Sequence, residues 1–404
     1  MQTWPEPAFP FPAFPGPALE LVDSASGIRR SFDNPETFTV YVCGITPYDA
    51  THMGHAFTYV SFDLLVRYLT AGGTKVTYAQ NVTDIDDPLL ERAAATGVDW
   101  EELAVSQVEL FASDMAALSV IPPNHYLGVV ETIEPIAHAA AKLLAQGAAY
   151  WVDTDVYADL SKDPDFGSLS GFSAELMSQL FAERGGDPDR PGKRQALDPL
   201  LWRGQRQGEP HWDGGVLGQG RPGWHIECTV IAQQTIGLPF DLQGGGTDLL
   251  FPHQEMGSSH GRILSGAPAG AGQHTMLSGM VALDGEKMSK SLGNLELVSR
   301  LRGQGVDPAA IRLVLVSQHY SSDWEWTGEL LSRAQQRLSR WRDASGVVVP
   351  QNLITQLRAA LADNLNSPVA VSVVDEFVAD PLAGSNSHGL TLGEVVFGLL
   401  GVNL

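Results

Sequence analysis

Residues 38–81 read FTVYVCGITPYDATHMGHAFTYVSFDLLVRYLTAGGTKVTYAQN. FTVYVC (38–43) is β-branched and aromatic, the composition of a buried strand. The loop GITPYDATHMG follows, and AFTYVSFDLLVRYL then repeats its apolar residues at helical spacing. TKVTYAQN (74–81) reads as a second strand. Strand, loop, helix and strand within about 45 residues make a βαβ unit, and hence a parallel sheet in an α/β protein.

Outward from this unit, residues 1–36 read as an extended Pro-rich arm lying on the body of the protein. Proline feeds neither a ladder nor a helix interior. Residues 37–149 form the first half of the sheet domain, with helical pattern at 88–118 and 131–147. From 150 to 222 short apolar pieces alternate with Gly, Pro and Asp, which reads as a small irregular insertion. The second half, 223–300, holds a helix at WHIECTVIAQQTIG, a strand at FDLQGGG, a helix through His253 and a strand at TMLSGMVAL (275–283). A Gly/Lys/Ser loop closes it. Residues 301–404 read as mostly helical, and no internal repeat is visible.

The chain carries 25 Lys+Arg against 47 Asp+Glu, a net charge of −22 over 404 residues. Such acidity argues against a broad nucleic-acid grip, which draws on clustered cations and counterion release. Two cysteines exclude a disulfide scaffold and point to a reducing, cytoplasmic compartment. The N-terminus has no basic n-region and reads as no signal peptide. No apolar run is long enough to span a membrane.

Two loops carry phosphate chemistry. His52 and His55 stand three apart around Gly54, between a strand and the helix it feeds. A helix N-terminus there offers free N–H groups and a positive dipole to an anion, at the place where open α/β sheets bind ligands. Lys287 and Lys290, two of six lysines in the chain, lie in the Gly-flanked loop DGEKMSKSLGN. Two ammonium groups on a loop suit the charge that builds on a departing pyrophosphate. A third constellation is Cys43, Cys228 and His253. Its separations match no zinc-finger spacing, and the cysteines read equally as small buried hydrophobes.

HxGH followed by KMSKS resembles the class I aminoacyl-tRNA synthetases. CGxTxYDxxHxGH, GRPGWHIEC, GGGxDLxFPH and KMSKS look like the cysteinyl-tRNA synthetases across most of 38–345. The resemblance implies a Rossmann-like class I synthetase catalytic domain with a small inserted subdomain and a C-terminal helical region. It implies that His52 and His55 contact ATP phosphates and that the second lysine, Lys290, stabilises the transition state of adenylate formation, with Lys287 beside it helping to stabilise the charge. It makes Cys43, Cys228 and His253 the ligands of one Zn2+, with an open position for a substrate thiolate. The related synthetases carry a fourth ligand, Glu, four residues beyond the His; Gly257 stands there in this chain, with Glu255 nearby. Gly44, Ile45, Thr46 and Thr58 would line the cysteine and adenylate pocket. Asn81, Val82 and Thr83 would end the second strand beside it, with Trp224 as a wall. Gly246, Thr247 and Asp248 would approach the adenosine, and Val281 would meet adenine through its backbone. CGITPYD departs from the usual CGPTVYD.

The acceptor divides the possibilities. Residues 345–404 hold one basic residue, Arg358, against Asp363, Asp375, Glu376, Asp380 and Glu394, and stop before the extra domain that such synthetases carry. An anticodon-binding segment needs a basic or aromatic-laced surface. Glu183 to Pro188, ERGGDP, is similar to a signature of the cysteine ligases of mycothiol biosynthesis and is expected to form a loop over the acceptor pocket. That resemblance implies a monomeric enzyme joining L-cysteine to the amine of glucosaminyl-inositol, with ATP and Mg2+ and no nucleic acid. The alternative is a synthetase charging tRNA(Cys).

Overall fold

A computed structural model describes residues 1–7, 16–48, 51–267, 272–288, 293–382 and 384–404, apart from the side chain of Lys287. Its centre is a five-stranded parallel sheet. In spatial order the strands are Gly272–Ser278, Phe240–Gly246, Thr37–Ile45, Lys75–Val82 and His125–Gly128. The halves of the chain meet where Leu242 pairs with Val40. The chain runs outward in opposite senses from these two strands, so a crevice opens at their carboxyl ends.

The helix Met53–Ala71 fills the gap behind that crevice and is buried nearly all round, Phe57, Tyr59, Phe62, Leu65 and Tyr68 included. An element apolar on every side belongs inside a core. Its two charged buried residues, Asp63 and Arg67, pair at 2.6 Å, and Asp63 also holds the buried Arg312. Six helices from Val298–Gly303 to Leu392–Leu400 pack on this side among the described residues.

Several elements differ from their sequence reading. Leu19–Val22 and Arg29–Phe32 form an antiparallel hairpin rather than an extended arm. The early prolines precede it, so its ladder is not interrupted. Residues 150–222 are not irregular. The strands Ala149–Val152, Asp155–Ala158, Leu200–Gly204, Gln219–Pro222 and Trp212–Asp213 form a five-stranded antiparallel sheet, each too short to print an alternation against its turns. The stretch 88–118 is two helices, Asp87–Thr96 and Trp100–Ala117, the second capped by Asp99. TMLSGMVAL breaks at Gly279, where a Cβ would lie 2.2 Å from the carbonyl oxygen of Ser322; Val281–Leu283 joins a separate small sheet. The helix through His253 is kinked: a wide helical turn, Leu250–Gln254, runs into the helix Glu255–Ser265, and Pro252 forces Phe251 into an extended conformation, φ −136° and ψ 135°.

Candidate active site

Cys43 lies near the end of the central strand Thr37–Ile45, within the register shift between Val42 and Ile45. The next residue is glycine of necessity: a Cβ on Gly44 would fall 1.6 Å from the Asn81 carbonyl oxygen. Asn81 organises the spot. Its side-chain oxygen accepts from the Gly44 N–H at 2.7 Å and the Tyr41 hydroxyl at 3.2 Å, and its NH2 donates to Thr83 at 3.1 Å. Cys228 arrives on the helix Trp224–Thr235, and His253 on the turn that Pro252 breaks. The two thiols and the imidazole are buried and lie within 4.8 Å of one another, the sole such group among the described residues.

Hydrogen bonding with Cys43, together with burial, pushes the Cys228 thiol up. His253 turns Nε2 to the Cys228 sulfur at 3.2 Å and Nδ1 to the Nδ1 of His225 at 3.4 Å. Burial holds His225 well below its ordinary range, so its ring is neutral and, in the tautomer with a bare Nδ1, accepts the Nδ1–H of His253. In that tautomer the His253 Nε2 lone pair faces the sulfurs, the arrangement a ligating histidine needs. Two thiols and an imidazole within reach of one another are soft donors that fit a zinc-type ion. Glu255 is not a fourth donor. Its carboxylate accepts from the N–H groups of Gly167 at 3.0 Å and Ser170 at 2.7 Å, committed to the insertion. His225 was missed by the sequence reading, although it lies inside the quoted WHIEC motif.

A cleft of about 510 Å³ runs from this cluster to the start of the helix Met53–Ala71. Gly44, Ile45, Thr46 and Thr58 line it, as do Asn81, Thr83 and Trp224. So do His52 and His55, and Gly246, Asp248 and Val281 from the second half. Trp224 stacks on His253 with ring centroids 4.6 Å apart. Val82 and Thr247 do not line the cleft: Val82 is fully buried in the core, and the Thr247 hydroxyl donates to the Ser278 carbonyl at 2.6 Å. Strand alternation explains Val82, since Asn81 and Thr83 take the cleft side. Tyr48, Tyr59 and Met288 line it and were not foreseen.

At the phosphate end the two histidines stack with centroids 3.8 Å apart. The first-turn N–H groups are not free. His52 Nδ1 accepts from Gly54 at 3.1 Å and His55 at 3.4 Å, and Met53 donates to the Glu296 carbonyl at 3.0 Å. With Nδ1 an acceptor, neutral His52 presents Nε2–H instead. The same bonds stitch residues 296–298 to 51–53, so the chain leaving KMSKS is fastened to HxGH. Lys290 lies outside the described residues, and for Lys287 only the backbone is described.

A second chamber of about 1890 Å³ adjoins the cleft and shares Thr46, Tyr48, Trp224, Asp248 and Leu249 with it. Its far wall is the insertion, including Glu183 to Asp187 of ERGGDP. Arg184 donates to the carbonyls of Asp248 and Phe251, and Asp187 pairs with Lys193 at 2.9 Å.

The sequence profile of the family described as tRNA synthetases class I (C) catalytic domain matches residues 31–336. A protein of Cellulomonas flavigena named L-cysteine:1D-myo-inositol 2-amino-2-deoxy-alpha-D-glucopyranoside ligase is 53% identical over 392 residues, 95% of this chain and 94% of that one. A protein of the same name from Streptomyces griseus is 52% identical over 412 residues and covers 100% of both chains. Among solved structures, Mycobacterium tuberculosis methionyl-tRNA synthetase in complex with methionyl-adenylate is similar in fold, with a TM-score of 0.57 at 16% identity over 90% of each chain. The chain thus has the class I synthetase catalytic fold and belongs to the family of L-cysteine:1D-myo-inositol 2-amino-2-deoxy-alpha-D-glucopyranoside ligases.

Proposed function

We propose that the protein is an ATP-dependent, AMP-forming ligase that joins L-cysteine to the amine of glucosaminyl-inositol in mycothiol biosynthesis. The observation that carries this reading is the pair of joined chambers, one at the thiol cluster and HxGH, the other walled by ERGGDP. The substrate sulfur lies at Cys43, Cys228 and His253. A zinc ion held by those residues would supply a soft contact for a thiolate, which a serine hydroxyl could not match. Bound there, the cysteine carboxylate attacks the α-phosphorus of ATP, which enters as its Mg2+ complex, and pyrophosphate leaves. His52 presents Nε2–H at the positive end of the helix Met53–Ala71, His55 stacks beside it, and Lys287 and Lys290 take the charge on the departing group. Trp224 and Thr46 stand where the chambers meet and hold the acyl group between its two reactions. The sugar amine then attacks the acyl carbonyl and AMP departs.

The charge distribution supports a small acceptor over tRNA. Arg358, the one basic residue of 345–404, is buried with its guanidinium 4.0 Å over the Tyr68 ring. In the basic run 332–342, Arg337 pairs with Asp375 at 2.9 Å and Arg342 with Asp307 at 2.6 Å. Cysteine-dependent ATP–pyrophosphate exchange is expected, with AMP release accelerated by glucosaminyl-inositol. Efficient charging of tRNA without any response to the aminosugar would overturn the reading.

A further inference from the structure

The acceptor amine is an ammonium in water, and it must reach the adenylate having lost a proton. The larger chamber is rich in guanidinium groups, yet they are already engaged. Arg203 and Arg221 pair with Asp87 and Glu209, and Arg190 and Arg206 with Asp155. Arg184 is spent on backbone carbonyls. Asp86 stands apart from these pairs. It lines the chamber three residues beyond Thr83, which lines the cleft. One carboxylate oxygen caps the helix Asp87–Thr96 by accepting from the Asp87 N–H at 2.8 Å. The other has no hydrogen bond, and no cation lies within salt-bridge reach of Asp86, among the described residues. Behind it, on the helix Trp224–Thr235, Glu227 is 98% buried and its Oε2 has no hydrogen-bond partner there either. The Glu227 carboxyl interacts electrostatically with Asp86.

We propose that Asp86 is the acceptor-amine subsite: its second carboxylate oxygen binds the ammonium of a polyhydroxylated primary amine beside the adenylate cleft and takes one of its protons. This rests on the ligase reading above. The proton passes from nitrogen to the Asp86 carboxylate. The freed lone pair forms the C–N bond to the acyl carbon, and the carbon–oxygen bond to phosphate breaks with its electrons on AMP. The second nitrogen proton leaves with the AMP phosphate, and Asp86 returns its own to water through the open chamber. Burial raises Asp86 to about 6, opposed by the Asp87 N–H, Arg221 and His253 and assisted by the Asp87 charge. Above that value Asp86 is ionised and able to accept.

The Asp86→Asn variant tests this cleanly, because Asn caps a helix as well as Asp does. Cysteine-dependent ATP–pyrophosphate exchange should stay within about twofold of the parent, showing the fold and first step intact. Glucosaminyl-inositol-dependent AMP release should fall by roughly 10²-fold or more, the range of a lost general base. Its kcat/KM in the parent should rise with pH through about 6, and that limb should vanish in the variant. The 2-hydroxy analogue of the acceptor, which has no ammonium, should inhibit both proteins equally. An Asn variant that ligates at the parent kcat/KM overturns the proposal, and so does one that loses exchange, which would assign Asp86 to the ammonium of cysteine itself. If the parent ignores the aminosugar and charges tRNA, the ligase reading itself fails.

Discussion

At position 228 a single sulfur is expected to set both metal retention and cysteine binding. Cys228→Ser keeps nearly the same shape but replaces a soft donor by a hard one. Metal measured by elemental analysis should fall below one per chain, and the KM for cysteine in pyrophosphate exchange should rise more than about tenfold, since even outer partners of a metal cost that much. Glu255→Gln separates the neighbouring acid from the metal. One amide oxygen replaces a carboxylate that serves Gly167 and Ser170, so the protein should lose about 1–3 kcal/mol in denaturant unfolding. Its metal content should not change. These single-residue arguments were legible because a motif prints its residues side by side. The partner of a motif residue is not printed: nothing in the sequence joins Asn81 to Gly44, or Glu255 to the backbone of 167–170.

The central strand shows what an element can and cannot announce. FTVYVC was readable as a buried strand because every residue in it suits a sheet covered on both faces. That Gly44 must follow was not, since the reason is an oxygen on the neighbouring strand. Gly44→Ala should cost several-fold in soluble yield and abolish cysteine activation, because the added carbon displaces the Asn81 backbone and with it the hydrogen bond that sets Cys43. Thermal unfolding and exchange activity measured on the same preparation will show both losses. The insertion was misread for the opposite reason. Strands of four or five residues separated by Gly and Pro turns leave too little sequence for a period of two to register. Pro252 was visible, but its effect falls on the conformation of Phe251, where a helix had been drawn.

At the scale of the molecule, Asp63, Arg67 and Arg312 tie the helix under the active site to the C-terminal helices. Arg67 also donates to the Phe397 carbonyl and Arg312 to that of Leu400. Burial alone would raise Asp63, but Arg312 and Arg67 outweigh it and hold its carboxyl below 3.8. Its contribution is therefore complete above that ordinary value and is lost as acid carries the pH down through the lower folded value. Asp63→Asn should cost about 3–5 kcal/mol at pH 7, because two buried guanidinium groups lose their counter-charge. The difference from the parent should shrink towards low pH, which urea titrations at several pH values will register. The parallel sheet and its two loops were legible at this scale because they recur as a pattern. The buried triad was not, because Arg312 lies 249 residues from the Asp63 it pairs with.

The wall shared by the two chambers has a thermodynamic consequence. Thr46, Tyr48, Trp224, Asp248 and Leu249 face both sides, and Arg184 fastens the insertion to the carbonyls flanking that wall. Any rearrangement of these residues by one substrate is felt by the other, and linkage makes the effect mutual. Whatever factor cysteine imposes on the affinity for the aminosugar, the aminosugar must return to cysteine.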